Sequence, residues 1–552
     1  MSNYKNKTNK ISKQKNDYDQ EKIKPPSQVL HKKKKALDLL KKGDLKEAEK
    51  IYRELIASGE KNHVVYGNLA AIVGKRGNKI EMISLLKNAL RIEPNFPIAH
   101  NNLGTALKER GELSAAIVSY QKAIELQPNY PDAFSNLGNA FKEKGDLSAA
   151  IVSYQKAIEL NPNFADAYNN LGTALQDQDN LRIAIASYQK AIELNPSFAD
   201  AYNNLGTALK EQGHFKSAIS SYQKALYLNP KFTNAYWNLS LVQLLIEDYK
   251  NGWKNYEWRL KRKDMEVIHA KLLIPKWKGE SLEIGSKLLV ISEQGLGDTI
   301  QYMRYILYLR EKGIDVCLCA PKKLHNLIKN SKIDSNPLTP DQANKHIQGK
   351  WISLLSLPQY LSVDSNNVII SKPYISAKNS HLNKWNQIVK DEKKPIIGLN
   401  WQGNPNMEKT YRGRSIPLEM FSKIFEKNEF TLLSLQKGFG SDQLESCSFR
   451  QKFVKCQEQI DSTWDFLETA AIIDICDLII TCDTSVAHLA GGMGKKVWLL
   501  LRDIPFWTWG MHGERTLWYP SMRLFRQKNR YNWLEVMERV LIQLNKEFVR
   551  KR

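Results

Sequence analysis

The sequence predicts an α + α/β protein, in which an all-helical repeat array is followed by a pair of Rossmann-like α/β lobes. In the first half, prolines recur every 34 residues, at Pro94, Pro128, Pro162, Pro196 and Pro230. In the second half, short apolar runs alternate with amphipathic segments, a pattern typical of doubly wound parallel sheets. A chain of 552 residues is also too long for one hydrophobic core.

Residues 1–29 are predicted to form a disordered leader, because they are rich in Lys and Asn and poor in large apolar residues. Residues 1–35 contain eleven lysines and three acidic residues, within a chain of net charge +23. Such a tail can attract nucleic acid or an anionic membrane. A solvated leader explains the same composition, so we expect no nucleic-acid partner.

The composition predicts a cytoplasmic protein. No apolar run approaches the roughly 20 residues that a membrane-spanning helix needs, and no apolar signal segment is visible at the start. The six cysteines lack the paired spacing of a metal site and are expected to be reduced thiols. We expect neither a bound metal nor a cofactor.

Residues 30–263 are predicted to form a solenoid of about six helix pairs and a degenerate seventh. A leucine recurs with the same period, and a glycine series at the turns is interrupted by Asp179. This pattern resembles the tetratricopeptide repeat. The resemblance implies that a concave face binds a protein or peptide through asparagines of the first helix of each pair: Asn102, Asn170 and Asn204. Alternatively, near-identical repeats simply share solvated asparagines.

Residues 264–286 are interpreted as a linker, residues 287–394 as a first α/β lobe and residues 395–552 as a second. Buried strands are expected at 287–292 and 315–320 in the first lobe. In the second lobe, the apolar runs predict strands at 395–400, 430–435, 478–481 and 497–501. Helices are expected at 299–310 and 464–475.

The segment 478–501 is the most informative part of the second half. It reads as a buried strand, three polar residues that can cap a helix (Asp483, Thr484 and Ser485), a short helix and another strand. The start of a helix presents free N–H groups and a partial positive charge to the mouth of the sheet. The segment therefore predicts binding of a phosphorylated small molecule.

Five motifs occur in order at residues 294–298, 401–405, 412–417, 435–438 and 483–488: Gln-Gly-Leu-Gly-Asp, Trp-Gln-Gly-Asn-Pro, Arg-Gly-Arg-Ser-Ile-Pro, Leu-Gln-Lys-Gly and Asp-Thr-Ser-Val-Ala-His. They resemble the transferase half of bacterial repeat-containing proteins similar to the heptosyltransferases. Residues 252–258 resemble the junction of such fusions. The resemblance implies a two-lobed GT-B glycosyltransferase that inverts the anomeric carbon and takes a nucleotide-diphosphate sugar without a metal.

The resemblance assigns Asp298 as the general base, which an inverting transfer needs beside the acceptor hydroxyl. Asp298 can equally cap the helix that follows it, and both roles can hold together. Gly295 and Gly297 would let the acceptor or a phosphate approach the backbone.

The resemblance also assigns the donor diphosphate to Arg414, which Lys409 and Arg412 could assist, and positive charge there would stabilise a departing diphosphate. Alternatively, an arginine on a loop is simply solvated. Gln436 and Lys437 are candidates for contacts with the nucleoside.

At the helix start, Thr484 and Ser485 are candidate hydrogen-bond donors to the diphosphate. Asp483 is expected to orient the loop or the sugar, and His488 to act as a contact rather than a base. The aromatic residues between Phe506 and Tyr519 fit either sugar stacking or packing. The alternative function is a non-catalytic repeat scaffold with a vestigial transferase domain.

Overall fold

The computed structural model describes residues 27–262, 272–346, 348–369, 372–409, 412–425 and 430–549. The chain divides into two compact units, with the boundary between Gln212 and Gly213. Most of the predicted leader lies outside the described residues. The first helix begins at Ser27, so the end of the predicted leader is helical.

Antiparallel helices build the first unit. They are α1 (Ser27–Lys42), α2 (Leu45–Ala57), α3 (His63–Lys75), α4 (Lys79–Ile92), α5 (Pro97–Glu109), α6 (Leu113–Leu126), α7 (Pro131–Lys144), α8 (Leu147–Leu160), α9 (Ala165–Asp177), α10 (Leu181–Leu194) and α11 (Ala199–Glu211).

Three near-consensus helix pairs each pack a tyrosine against a glycine. A Cβ at Gly138 would lie 2.6 Å from Cε1 of Tyr154, and Gly104 and Gly172 face tyrosines in the same way. The Tyr154 ring is fully buried, and its hydroxyl donates to Oδ1 of Asn139 at 2.8 Å. Glycine therefore recurs at this position because the tyrosine ring occupies the space that any side chain would need.

The turn between the helices of a pair requires a left-handed residue. Gly145 has φ +92°, and Asp179, which interrupts the glycine series, keeps the same conformation with φ +63°. Glu247, at the corresponding turn of the degenerate seventh pair, has φ +67°. The turn is therefore kept at positions where glycine is replaced. The replacing residue then bears the strain of a side chain in the left-handed backbone conformation.

The second unit begins with α12 (Phe215–Leu228), α13 (Thr233–Leu245), α14 (Tyr249–Tyr256) and a 3₁₀ helix at Glu257–Lys261. The sequence assigns these helices to the solenoid. In the structure, Trp253 and Tyr256 belong to the same hydrophobic core as the strands that follow. The compact units therefore divide inside the predicted solenoid, because α13 and α14 carry aromatic residues that the α/β fold buries.

Two parallel sheets follow. The first contains β1 (Lys287–Ile291), β2 (Asp315–Cys319) and β3 (Lys350–Ser353), in the order β2-β1-β3. The second contains β4 (Ile396–Asn400), β5 (Thr431–Ser434), β6 (Leu478–Cys482), β7 (Val497–Leu501) and β8 (Met522–Arg526), in the order β5-β4-β6-β7-β8.

Helices connect and cover the strands. They are α15 (Leu296–Tyr302), α16 (Arg304–Glu311), α17 (His325–Asn330), α18 (Pro340–Ala343), α19 (Leu357–Tyr360), α20 (Asn379–Ile388), α21 (Ser422–Phe425), α22 (Gln443–Ser446), α23 (Gln457–Asp461), α24 (Phe466–Asp474), α25 (Ser485–Gly492) and α26 (Trp533–Leu544). Short 3₁₀ helices occur at Lys322–Leu324, Leu354–Ser356, Pro405–Lys409, Leu418–Phe421, Arg450–Lys452 and Trp507–Trp509, and the last helical turn is Asn545–Val549.

All six predicted strands are present, whereas β3 and β8 have no counterpart in the prediction. Both are edge strands with a partly exposed side, so their sequences lack a continuous apolar run. The predicted helix at 299–310 is divided at Met303 into α15 and α16. The six cysteines form no disulfide. Within the described ranges, no helix is both long and apolar enough to cross a bilayer.

We predict that Gly138→Val lowers the stability of the first unit by about 2–3 kcal/mol, because the new side chain must displace the buried ring of Tyr154. Thermal unfolding followed by circular dichroism measures the effect. Val152→Ala, at a position that is 64% exposed, is the matched control and should be almost neutral. An unchanged melting profile of Gly138→Val would contradict this packing.

Candidate active site

The predicted site residues of the α/β unit follow the carboxyl ends of the strands. In the second sheet the chain passes from β4 to β5 on one side and then to β6 on the other. The loops after β4 and β6 therefore diverge, and this divergence opens a crevice. The same reversal occurs between β1 and β3 in the first sheet. Asp298 follows β1, Arg414 follows β4 and Asp483 follows β6.

Asp298 lies in the first turn of α15, and Gly295 is the N-cap residue of that helix. Burial raises the pKa of Asp298 to about 7, and the negative charges of Asp483 and Glu293 act in the same direction. The backbone N–H of Gly295 partly opposes the shift. Asp298 is thus inside the first turn and is not the N-cap residue of the helix, and its carboxyl group has the near-neutral pKa that suits a general base.

The loop of Asp298 meets the start of α25 across the crevice. A Cβ at Gly297 would lie 3.0 Å from Cδ2 of His488 and 3.4 Å from Cα of Ser485. A side chain at position 297 would therefore push the two loops apart. The predicted base and the predicted phosphate-binding helix are brought together by this glycine.

Asn400 joins three of the loops at the end of β4. Its Oδ1 accepts a hydrogen bond from Oγ1 of Thr484 at 2.6 Å, and its Nδ2 donates to Oε1 of Gln436 at 2.8 Å. The Thr484 hydroxyl also accepts from the N–H of Val486 and caps α25. Thr484 therefore holds the helix start in place with the hydroxyl group that was predicted to meet a phosphate.

Gln436 is buried and braces the loop after β4. Its amide oxygen accepts the N–H groups of Trp401 and Gln402 at 3.1 and 3.0 Å, and its amide nitrogen donates to the carbonyls of Gln402 and Phe439. The side chain is occupied by the protein itself, and its contact with a nucleoside stays a prediction.

Arg414 lies over the glycine of the Trp-Gln-Gly-Asn-Pro motif. A Cβ at Gly403 would be 2.1 Å from Nη2 of Arg414, so the guanidinium occupies the space that a side chain would take. Glu408 shapes the loop by accepting the N–H groups of Gly413 and Ser415 at 2.9 and 2.8 Å. The Nε of Arg414 is buried without a hydrogen-bond partner.

Arg414 and Asp483 line one pocket, together with Leu500, Leu501, Arg502, Pro505 and Phe506. Burial raises the pKa of Asp483, and the positive charge of Arg414 opposes the shift. The indole nitrogen of Trp509 has no hydrogen bond of good geometry, yet it is close enough to Asp483 to lower the pKa of that carboxyl. The pocket thus combines two arginines with one carboxylate.

His488 is packed inside the unit. Its Nδ1 lies 2.9 Å from the hydroxyl of Tyr519, and its ring stacks on Trp509 with centroids 5.1 Å apart. Burial lowers the pKa of His488 to about 3, and the charge of Arg304 acts in the same direction. His488 is therefore neutral at physiological pH, and a role as a contact stays a prediction.

The aromatic residues after β7 are mostly buried: Trp507, Trp509, Trp518 and Tyr519. The indole of Trp518 donates to the carbonyl of Thr508 at 2.8 Å. Packing thus accounts for these four, while the half-buried Phe506 reaches the pocket.

Lys437, Arg412 and Lys409 are the remaining residues that the sequence predicts to bind the sugar nucleotide. The Nζ of Lys437 donates to the carbonyl of Ile460 at 2.8 Å, and burial lowers the pKa of this amine to about 8. Arg412 is half-buried in the same loop as Arg414. The side chain of Lys409 lies outside the described residues, so its role stays a prediction.

The predicted peptide-binding asparagines lie on the first helices of their pairs. The Nδ2 of Asn204 donates to Oδ1 of Asn169 at 3.0 Å, and Asn136 donates to Asn101 in the same manner at 3.0 Å. Asn102 and Asn170 are half-buried. Part of the asparagine set therefore links neighbouring helix pairs, and peptide binding by these residues stays a prediction.

Two residues of the site were not identified from the sequence, Asn400 and Arg502, and Trp509 was a candidate only as one of several aromatic residues. Asn400 and Arg502 directly adjoin the carboxyl ends of β4 and β7, a position that could have marked them as candidates. The approach of Trp509 to Asp483 depends on the path of a long loop, for which the sequence contains no signal.

Comparison with known proteins identifies the repeats. The TPR repeat model matches residues 104–145, 138–179 and 180–213, and tetratricopeptide repeat models match residues 164–195 and 199–232. Residues 104–232 are tetratricopeptide repeats. The prediction of this repeat type is confirmed.

The chain is also similar to protein FlbA of Caulobacter vibrioides, with 22% identity over 323 residues that cover 54% of this chain and 53% of FlbA. It thus spans about half the length of this curated relative. Among solved structures, MamA of Desulfovibrio magneticus RS-1 is 25% identical and covers 31% of this chain and 96% of its own, with a TM-score of 0.29. YrrB, described as a TPR protein with an unusual peptide-binding site, is 21% identical and covers 33% and 95%, with the same TM-score of 0.29.

We predict that Asp298→Asn is more stable than the unchanged protein and that its advantage grows with pH. The folded pKa of about 7 lies above the unfolded value, so the native carboxyl binds the proton more tightly. Stability from this group is present at low pH and is lost as the pH rises to 7. Between pH 5 and pH 8 the advantage should increase by about 2–3 kcal/mol.

Urea unfolding of both proteins at each pH measures this difference in stability. The contributions of all other titrating groups are the same in both proteins and cancel in the difference. Asp315→Asn, at an exposed position, is the control and should show no such trend. A constant difference between Asp298→Asn and the unchanged protein would show that the carboxyl group is not perturbed.

We predict that Thr484→Val lowers the free energy of unfolding by about 1–2 kcal/mol, because it removes a helix cap and leaves Oδ1 of Asn400 without its closest donor. Thr484→Ser keeps the hydroxyl group and should stay within about 0.5 kcal/mol of the unchanged protein. Urea denaturation of both variants tests this; equal stabilities of the two would be evidence against the capping role.

Proposed function

We propose that the second unit is an inverting glycosyltransferase of GT-B architecture that uses a nucleotide-diphosphate sugar, and that the repeats recruit its acceptor, a protein or peptide. One observation carries the proposal. Asp298, a half-buried carboxyl group with a pKa raised to about 7, belongs to a loop that lies against the start of α25, and Asp483, whose charge acts on Asp298, lines a small pocket with Arg414.

The carboxylate of Asp298 would accept the proton of an acceptor hydroxyl group. The hydroxyl oxygen forms a bond to the anomeric carbon as the bond to the nucleoside diphosphate breaks, so the configuration inverts. Because its pKa lies near neutrality, Asp298 is basic enough to accept this proton and is still partly ionised in the cell. The nearby charge of Asp483 supports this role, because it raises the proton affinity of Asp298.

The leaving nucleoside diphosphate carries away the electron pair and gains negative charge. Arg414 and the first turn of α25 supply positive charge beside that position. The hydrogen bonds among Asn400, Thr484 and Gln436 fix the helix start before a ligand binds. Such preorganisation is what stabilises a developing charge.

The tetratricopeptide repeats support the second part of the proposal, since stacked repeats of this kind provide extended surfaces for protein partners. Their presence also favours the second candidate function, an interaction scaffold whose α/β unit has no turnover. The two functions differ in whether the α/β unit binds a sugar nucleotide.

We predict that at least one of UDP-, GDP- or ADP-linked hexoses or heptoses raises the melting temperature of the unchanged chain. Arg414→Ala should weaken this binding by about 10–100-fold, because a charge-assisted contact with the diphosphate is lost. Asp298→Asn should retain binding and lower turnover of the donor by about 10²–10⁴-fold. Thermal shift and release of the free nucleotide are the two measurements.

Arg523→Ala is the matched control, because Arg523 lies on the edge strand β8 and pairs with Glu514. It should leave binding and turnover unchanged. If none of these donors stabilises the chain, the transferase function is wrong and the scaffold function stands.

A further inference from the structure

A buried cation connects the last helical turn after the repeats with the first sheet. Arg259, in the 3₁₀ helix Glu257–Lys261, is 1% exposed. Its Nε and Nη2 donate to Oε1 of Glu293 at 3.1 and 2.7 Å, and its Nη1 donates to Glu257 at 2.8 Å. Nη2 also donates to the hydroxyls of Ser353 and Ser356 at 3.0 and 2.8 Å.

These partners lie at the point where β1 and β3 end. Glu293 follows β1 and begins the loop that leads to Asp298, while Ser353 is the last residue of β3. Ser353 also donates to the second carboxylate oxygen of Glu293. Arg259 therefore fixes the origin of the Asp298 loop at the switch point of the first sheet.

The pair of Arg259 and Glu293 is fully buried, so neither member can be removed alone without leaving an unpaired charge. Burial raises the pKa of Glu293, and Arg259 opposes that shift. An uncompensated buried carboxylate would take up a proton or move toward water. Either response would release the beginning of the loop.

The helix before Arg259 also contacts the loop that follows β7. The indole of Trp253 in α14 donates to the carbonyl of Val363 at 2.8 Å and meets Trp507 edge-to-face, with centroids 5.2 Å apart. Tyr256 contacts the same Trp507 at 6.3 Å. Trp507 belongs to the loop that brings Trp509 to Asp483.

We propose that Arg259 is a positioning residue for the Asp298 loop and that α14 with its 3₁₀ extension is a structural part of the transferase site rather than a spacer. The part that concerns turnover rests on the proposed function. Arg259 touches no reacting atom; it acts through Glu293.

Hydrogen exchange of the full chain tests the proposal. The double variant Arg259→Met/Glu293→Gln removes both charges and avoids an unpaired buried ion. We expect amide exchange in residues 293–303 to become at least about tenfold faster, with exchange in β6 and β7 unchanged. Donor turnover should fall by about 10–100-fold in kcat, with KM for the sugar nucleotide within about twofold.

Trp253→Phe is the matched control, because it removes a buried hydrogen bond of the same helix and leaves the Arg259–Glu293 pair intact. It should lower stability without accelerating exchange in residues 293–303. Arg259→Lys, which keeps the charge but not the planar fork, should recover part of the protection.

Unchanged exchange of residues 293–303 in the double variant, or equal acceleration in Trp253→Phe, would overturn the proposal. Failure of the transferase function gives a different result, since the unchanged chain would then bind no sugar nucleotide while the exchange experiment still reports on the loop.

Discussion

The contact between the Asp298 loop and the first turn of α25 is the constraint on which the candidate site depends. The two segments belong to different sheets, and they meet because Gly297 has no side chain to separate Asp298 from Ser485 and His488. Burial raises the pKa of Asp298, and the nearby negative charge of Asp483 adds to that effect, whereas burial alone raises the pKa of Asp483. The raised pKa of Asp298 is thus first a consequence of its burial.

The rest of the site holds that contact in place. Asn400 connects the loops after β4, β5 and β6 through hydrogen bonds to Gln436 and Thr484. These bonds hold the start of α25 at the end of β4. On the other side, Arg259 fixes the loop after β1 through Glu293. Polar groups buried in this way stabilise a single arrangement, because each loses its hydrogen bonds if a loop moves. Rigid loops around a cationic pocket suit the stabilisation of a developing charge.

Much of this architecture could be predicted from the chain. The repeat period, the six strands with continuous apolar runs and the motif that starts α25 are local signals, and all are present in the structure. The edge strands β3 and β8 were missed because partial exposure interrupts their apolar pattern. The compact units divide inside the predicted solenoid, although a tetratricopeptide repeat continues to residue 232, and α13 and α14 bury aromatic residues with the sheets.

The positions of helices and strands and the residue types at their ends can be predicted from the chain, because helix periods, strand burial and capping residues act over a few neighbours. Which side chains remain available for a ligand depends on packing between distant segments. Gln436 and Thr484 look like ligand contacts in the sequence, yet their hydrogen bonds are made within the protein. Arg259 looks like a surface residue beside a junction, yet it is buried against Glu293. Such pairings join residues distant in the chain, and only the packing of the two sheets brings them together.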